Sequence, residues 1–177
     1  MYNIENCISL AKLQFKLNIN GVHGLEHWLT VMKTGQEIAK TNGGDYSVVT
    51  LFGIFHDCCR LTDQKDPEHG VRAAQYVKLL EIDLSTHQRE ILDHALSGHN
   101  IKDIISNDPT IGACWDADKL DLTRVGIIPE YEAMSTSEGR EMLSKFKPHK
   151  EFDFLSAMCY DLPLSDDPIS FKLRKTK

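Results

Sequence analysis

The sequence predicts an all-α, single-domain helical bundle, on three observations. Apolar residues recur three and four positions apart in successive segments, the spacing of a one-sided helix face. Asn-Gly, Gly-Gly, Asp-Pro and Ser-x-x-Gln signals punctuate those segments where helices stop and start. No pair of alternating apolar and polar segments joined by a tight turn stands out, so nothing supplies a sheet. At 177 residues the chain suits one domain with a substantial core, and it carries no repeat and no linker.

In chain order, Ile4, Ile8, Leu10, Ala11, Phe15 and Leu17 predict a first helix over about 3–17, stopped by Asn18-Ile19-Asn20-Gly21. Leu25, Trp28, Leu29, Val31, Met32, Ile38 and Ala39 predict a second over about 24–41, ending before Thr41-Asn42-Gly43-Gly44. Asp45 or Ser47 caps a third, which runs through Val48, Val49, Leu51, Phe52, Ile54 and Phe55 to His56-Asp57. Its β-branched residues make a strand the rival there, and the helical neighbours favour the helix. Asp66-Pro67 starts a fourth helix reaching about Glu81, with proline at an early position. Ser85 followed by Gln88 is a capping-box pattern for a fifth through about His99, and Asp108-Pro109 opens a sixth that continues past Asp118. Beyond Pro129, Ser137-Glu138 and Phe152-Asp153 are starts of two shorter helices. Ser165-Asp166-Asp167-Pro168 ends the packed domain, which gives a domain over 1–165 and a flexible tail over 166–177.

A formal charge of −6 and a pI near 5.7 argue against a nucleic-acid surface, because phosphate backbones require clustered Lys and Arg. The one basic cluster is the tail Lys172-Leu173-Arg174-Lys175-Thr176-Lys177, which is expected to fray. Met1 to Asn6 does not read as a signal peptide, and no stretch approaches membrane-spanning length. Five cysteines (Cys7, Cys58, Cys59, Cys114, Cys159) form no CxxC pair, and their odd number argues against a closed disulfide framework. A reducing, cytoplasmic compartment is the expectation.

The chemistry concentrates in His56-Asp57, which ends the apolar run Leu51-Phe52-Gly53-Ile54-Phe55. Imidazole and carboxylate are costly to bury unpartnered, and a shared cation compensates both. Further polar residues lie on inward helix faces. His69 shares a stripe with Ala73, Val77 and Leu80; His99 aligns with Ile91 and Ala95; Asp118 aligns with Ile111 and Leu122; His27 falls between His23 and Val31. His94 lies about 140° around the axis from His99, so the two do not serve one site from one face, and His99 is preferred. Any one of these residues alone reads as a hydrogen-bonded core or cap residue. Ligands contributed singly by several helices to one interior are how helical bundles assemble metal sites. His87 and His149 read as surface residues; His23 either lines the pocket or packs beside Trp28.

These residues, in the contexts His23-Gly24-Leu25-Glu26-His27-Trp28, Phe55-His56-Asp57, Asp66-Pro67-Glu68-His69-Gly70, Ala95-Leu96-Ser97-Gly98-His99 and Asp116-Ala117-Asp118-Lys119-Leu120-Asp121, resemble the HD-domain superfamily of metal-dependent phosphohydrolases over about residues 21–126. The resemblance implies an HD-type helical bundle in which His27, His56, Asp57 and Asp118 coordinate a divalent ion. His69 and His99 match positions that hold a second metal in the dinuclear branch. Arg60 stands where the mononuclear nucleotidase branch has an acid, which argues against a simple deoxynucleoside-monophosphate phosphatase.

Imidazole and carboxylate donors suit Mn, Fe, Ni or Co, with Mg favouring an all-oxygen site. Two such ions would share Asp57 as a bridge and activate a water against a small phosphorylated, nucleotide-like substrate. Asp57, Lys119 and Arg60 are the candidate catalytic residues, and His23 and Arg124 the candidate substrate contacts. For the three cations, solvated surface charge is an equal reading. A di-iron oxygenase on the same ligands and a non-catalytic binding module are the alternatives. Neither a nucleic-acid nor a membrane partner is expected, and oligomeric state is open.

Overall fold

A computed structural model describes residues 3–102 and 104–146. Seven α-helices and two short 3-10 turns make up its regular structure: α1 (Ile4–Gln14), α2 (Leu25–Asn42), α3 (Tyr46–Phe55), α4 (His69–Lys78), α5 (Thr86–Gly98), α6 (Pro109–Asp121), turns at Leu122–Val125 and Tyr131–Ala133, and α7 (Ser137–Lys145). No strand occurs among the described residues, so the protein is all-helical and the β-branched run of α3 is a helix.

The centre is α3. Every residue from Val48 to Phe55 is buried, so this helix is apolar all round and is enclosed by α1, α2, α5 and α6. Asp45 caps it by accepting from the Ser47 and Val48 amides. Gly53 allows the crossing with α2, since a Cβ there would lie 2.4 Å from the Met32 Cα. Trp28, Phe52, Phe55, Leu92, Leu96 and Trp115 fill the space around α3.

The fourth helix begins at His69 rather than at Asp66-Pro67. Asp66 turns its carboxylate away from the helix start to accept from the Leu61 amide and from Arg72, and so ties the preceding loop together. This helix also ends early, at Lys78 rather than near Glu81, because the Leu79 and Leu80 amides tighten onto Tyr76 and Val77. The first stops at Gln14, where Phe15 is extended. The capping box predicted for the fifth forms in full, with Ser85 accepting from Gln88 and the Gln88 side chain accepting from Ser85. The Ser137 start is found, capped by Thr136. The predicted helix at Phe152, the domain end at Ser165, the tail, His149 and Cys159 lie outside the described residues.

Candidate metal centre

The ends of five helices supply the site. His27 stands one turn into α2, His56 and Asp57 follow α3, His69 opens α4, His99 follows α5, and Asp118 lies near the end of α6. All four imidazoles and Asp57 are buried, while the Asp118 side chain keeps 24% of its surface open. The six predicted ligands form two groups: His27, His56 and Asp118 in one, Asp57, His69 and His99 in the other.

Each imidazole is aimed by its Nδ1. His56 donates to the Gly53 carbonyl at 3.1 Å, His69 to Asp66 at 2.5 Å and His99 to Leu96 at 2.7 Å. A carbonyl oxygen only accepts, so these Nδ1 atoms carry the hydrogens and leave Nε2 as a lone pair in the neutral ring. His27 donates instead to a carboxylate, Asp121 Oδ2, at 2.6 Å. All four Nε2 atoms therefore turn inward, where His27 meets His56 at 2.9 Å and His69 meets His99 at 2.7 Å. Two lone pairs cannot face each other at these distances, so each pair requires a proton or a metal cation between its members.

A metal fits the spacing. Donors about 2.1 Å from a shared ion stand about 3.0–3.4 Å apart. Asp118 Oδ1 lies 3.4 Å from His27 Nε2 and 3.6 Å from His56 Nε2. Asp57 reaches both groups, with Oδ2 3.5 Å from His27 Nε2 and Oδ1 3.1 Å from His69 Nε2 and 3.7 Å from His99 Nε2. A carboxylate that presents one oxygen to each group is the geometry of a bridge. The same Oδ1 accepts from Arg60 Nε at 3.0 Å.

The electrostatics agree with a cation-binding cluster. Burial opposes the charge of Asp57, yet His56 and hydrogen bonds from His27, His69 and His99, made when their Nε2 atoms carry a proton, hold its carboxyl well below the ordinary range. Desolvation works the same way at Asp118, and the His27 hydrogen bond and, in acid where His56 takes up a proton, the His56 charge overcome it, again lowering the pKa. Burial pushes His56 down to about 4, so it is a neutral donor. His27 behaves oppositely: burial disfavours its charge, but bonds to Asp118, Asp121 and Asp57 raise its pKa well above the usual imidazole value. Without a metal, a proton on His27 Nε2 occupies the space between His27 and His56.

The remaining candidates lie around this cluster. His23 pairs through Nδ1 with Asp63 Oδ1 at 2.8 Å and presents its ring edge to His27, with centroids 6.2 Å apart. Arg60 also donates to the Thr62 and Gln64 carbonyls. The Lys119 ammonium stands 2.6 Å from both the Ile104 and Ala133 carbonyls, so contact with a phosphate requires it to leave them. Arg124 donates to Asp121 Oδ2 and to the Val22 carbonyl, one step behind His27. His94 is exposed beside Trp115, and His87 is exposed. Cys7, Cys58, Cys59 and Cys114 are free and buried.

Sequence reasoning missed Asp121. It lies three positions after Asp118 on α6 and holds the only ring of the four that no backbone carbonyl orients. Asp116, on the other side of the same helix, is structural: it accepts from the Ser135 and Thr136 amides and the Thr136 hydroxyl.

A family model described as HD domain matches residues 24–142, which runs from α2 into the first part of α7 and includes every ligand candidate. No curated protein and no solved structure matches the chain.

Proposed function

The chain belongs to the HD-domain family, and on that premise we propose that it is a metal-dependent phosphohydrolase acting on a small, nucleotide-like phosphomonoester or phosphoanhydride. The observation that carries this reading is Asp57, one carboxylate with an oxygen toward each of two three-residue groups. His27, His56, Asp57 and Asp118 would hold one divalent ion, and His69, His99 and Asp57 a second, with Mn, Fe, Ni or Co suited to this donor set. When bound, such ions make a water nucleophilic near neutral pH and neutralise charge on a phosphoryl group.

The chain's own residues do the rest. Asp57 is held in one orientation by Arg60, so its two oxygens stay divided between the groups. Asp118 is the most open of the ligands and faces the arriving phosphate. His23, fixed by Asp63 at the edge of the cluster, has its Nε2 available to hydrogen-bond a substrate oxygen. Arg60 is the nearest permanent cation, and Lys119 and Arg124 add positive charge on the α6 side of the site.

The test is a screen of nucleotides and phosphorylated metabolites with Mn-loaded chain, with Asp57→Ala and Asp118→Ala alongside. Turnover and metal binding are expected to disappear together in both variants, a loss of at least about a thousandfold. Full turnover in either variant overturns the mechanism. Oxygen uptake by iron-loaded chain without phosphate release assigns the same ligands to an oxygenase, and a chain that binds no metal assigns it to a binding module.

A further inference from the structure

A cavity of about 310 Å3 lies between the end of α1, the turn after α3 and α4. Its wall includes Lys16, Arg60 and Arg72 and no carboxylate, in a chain whose net charge is −6. None of the six ligand candidates lines it.

Both guanidinium groups are fixed in place. Arg60 is held by Asp57, Thr62 and Gln64. Arg72 is held by the Cys59 carbonyl through Nε and Nη2, and by Asp66 through Nη2. Each keeps one terminal nitrogen with no partner among the described residues, Nη2 of Arg60 and Nη1 of Arg72. The Lys16 ammonium likewise makes no hydrogen bond or ion pair among the described residues. The two guanidinium groups are preorganised with unspent donors, as an oxyanion site requires, because the entropy of ordering those two side chains is already lost, while Lys16 adds a charge that orders on binding.

The rest of the wall selects what accompanies the charge. Leu61 and Leu79 are 63% and 81% exposed, unusual for leucine, and they line this cavity together with Tyr76. The Tyr76 hydroxyl is tied to the Leu10 carbonyl at 3.0 Å, which leaves its ring as part of the wall. We propose that this cavity is a second ligand site, separate from the metal centre, for a phosphate or phosphonate oxyanion that carries an apolar or aromatic body. Arg60 connects the two sites, since its Nε shares the Asp57 oxygen that faces His69. An anion drawing on Arg60 leaves more of the Asp57 charge for a cation, so the two sites strengthen each other.

The experiment is calorimetric titration of the full chain, freed of metal by chelator, with phenylphosphonate and with methylphosphonate, neither of which is hydrolysed. One molecule of phenylphosphonate is expected to bind, more tightly than methylphosphonate, and Lys16→Glu is expected to weaken it at least tenfold. Asp118→Ala, which removes a metal ligand, is expected to bind it as the native chain does. Binding that vanishes on chelation, or that is unchanged in Lys16→Glu, overturns the proposal; Lys16 is exposed, so its replacement leaves the core untouched. In the Mn-loaded chain, phenylphosphonate is expected to tighten Mn binding severalfold in the native protein and not in Lys16→Glu. The inference does not depend on the hydrolytic reading: phosphatase turnover without this binding overturns the cavity alone, and this binding without turnover overturns only the hydrolase.

Discussion

Asp121 is the residue on which the His27 tautomer depends. Removing it by Asp121→Ala leaves Nδ1 of His27 without an acceptor and lets the ring turn, which is expected to weaken metal binding about 10–100-fold. Asp121→Asn, which keeps an acceptor and loses the charge, is expected to fall between the two, as read by metal titration. The raised pKa of His27 gives a second prediction. A proton must leave Nε2 for a metal to enter, so metal affinity is expected to fall as pH drops through that raised value, with proton release detectable by calorimetry in buffers of different ionisation enthalpy. In metal-free protein the sign reverses. The His27 contribution to stability is fully present below the unfolded value of 6.5 and is lost as pH rises through the folded pKa, whereas that of Asp57 and Asp118 is present above 3.8 and lost as pH falls. At this scale the ligand candidates were legible because each is a polar residue on an otherwise apolar stripe. Asp121 was not, because its partner is 94 positions away and no local pattern pairs them.

Helices were legible wherever spacing and caps agreed, as in α3 with Asp45 and α5 with its capping box. They were misread where a cap-like residue had another use. Asp66-Pro67 has the form of a helix start, but the Asp66 carboxylate serves Leu61 and Arg72, an arrangement that depends on tertiary placement and not on local sequence. The close approach of α4 to α5 was equally invisible. It occurs at Gly70, where a Cβ would stand 2.5 Å from the Leu96 carbonyl, the same oxygen that orients His99. Gly70→Ala must push the helices apart and separate His69 from His99. If the two groups hold one ion each, as proposed, the expected result is a metal stoichiometry that falls from two to one, with the His27, His56 and Asp118 group retained, measured by elemental analysis of the purified variant.

Across the whole molecule, the interior holds an unusual concentration of charge and imidazole beside α3, whose own residues are apolar. An all-helical class and a set of candidate ligands spread over several helices are readable from 177 residues, and the family resemblance implies their division into two groups; which Nε2 atoms meet is not readable, since that depends on placement in space. Metal removal is therefore expected to destabilise the entire fold. At a hundredfold excess over Kd a bound ion contributes about 2.7 kcal/mol, which in a domain of this size corresponds to about 5–10 °C in Tm. Thermal melts with and without chelator measure it, and a chain indifferent to chelation would show that the cluster carries no ion.

Three of the four imidazoles are oriented by the backbone oxygen three residues earlier, at Gly53, Asp66 and Leu96. A carbonyl belongs to every amino acid, so no codon change can delete it. In a saturation mutagenesis library, the layer behind these three rings has no side chain whose loss unlatches them, and tolerance there is limited only by packing. His27 alone hangs on a replaceable group, which makes position 121 the one genetically fragile latch behind the histidines.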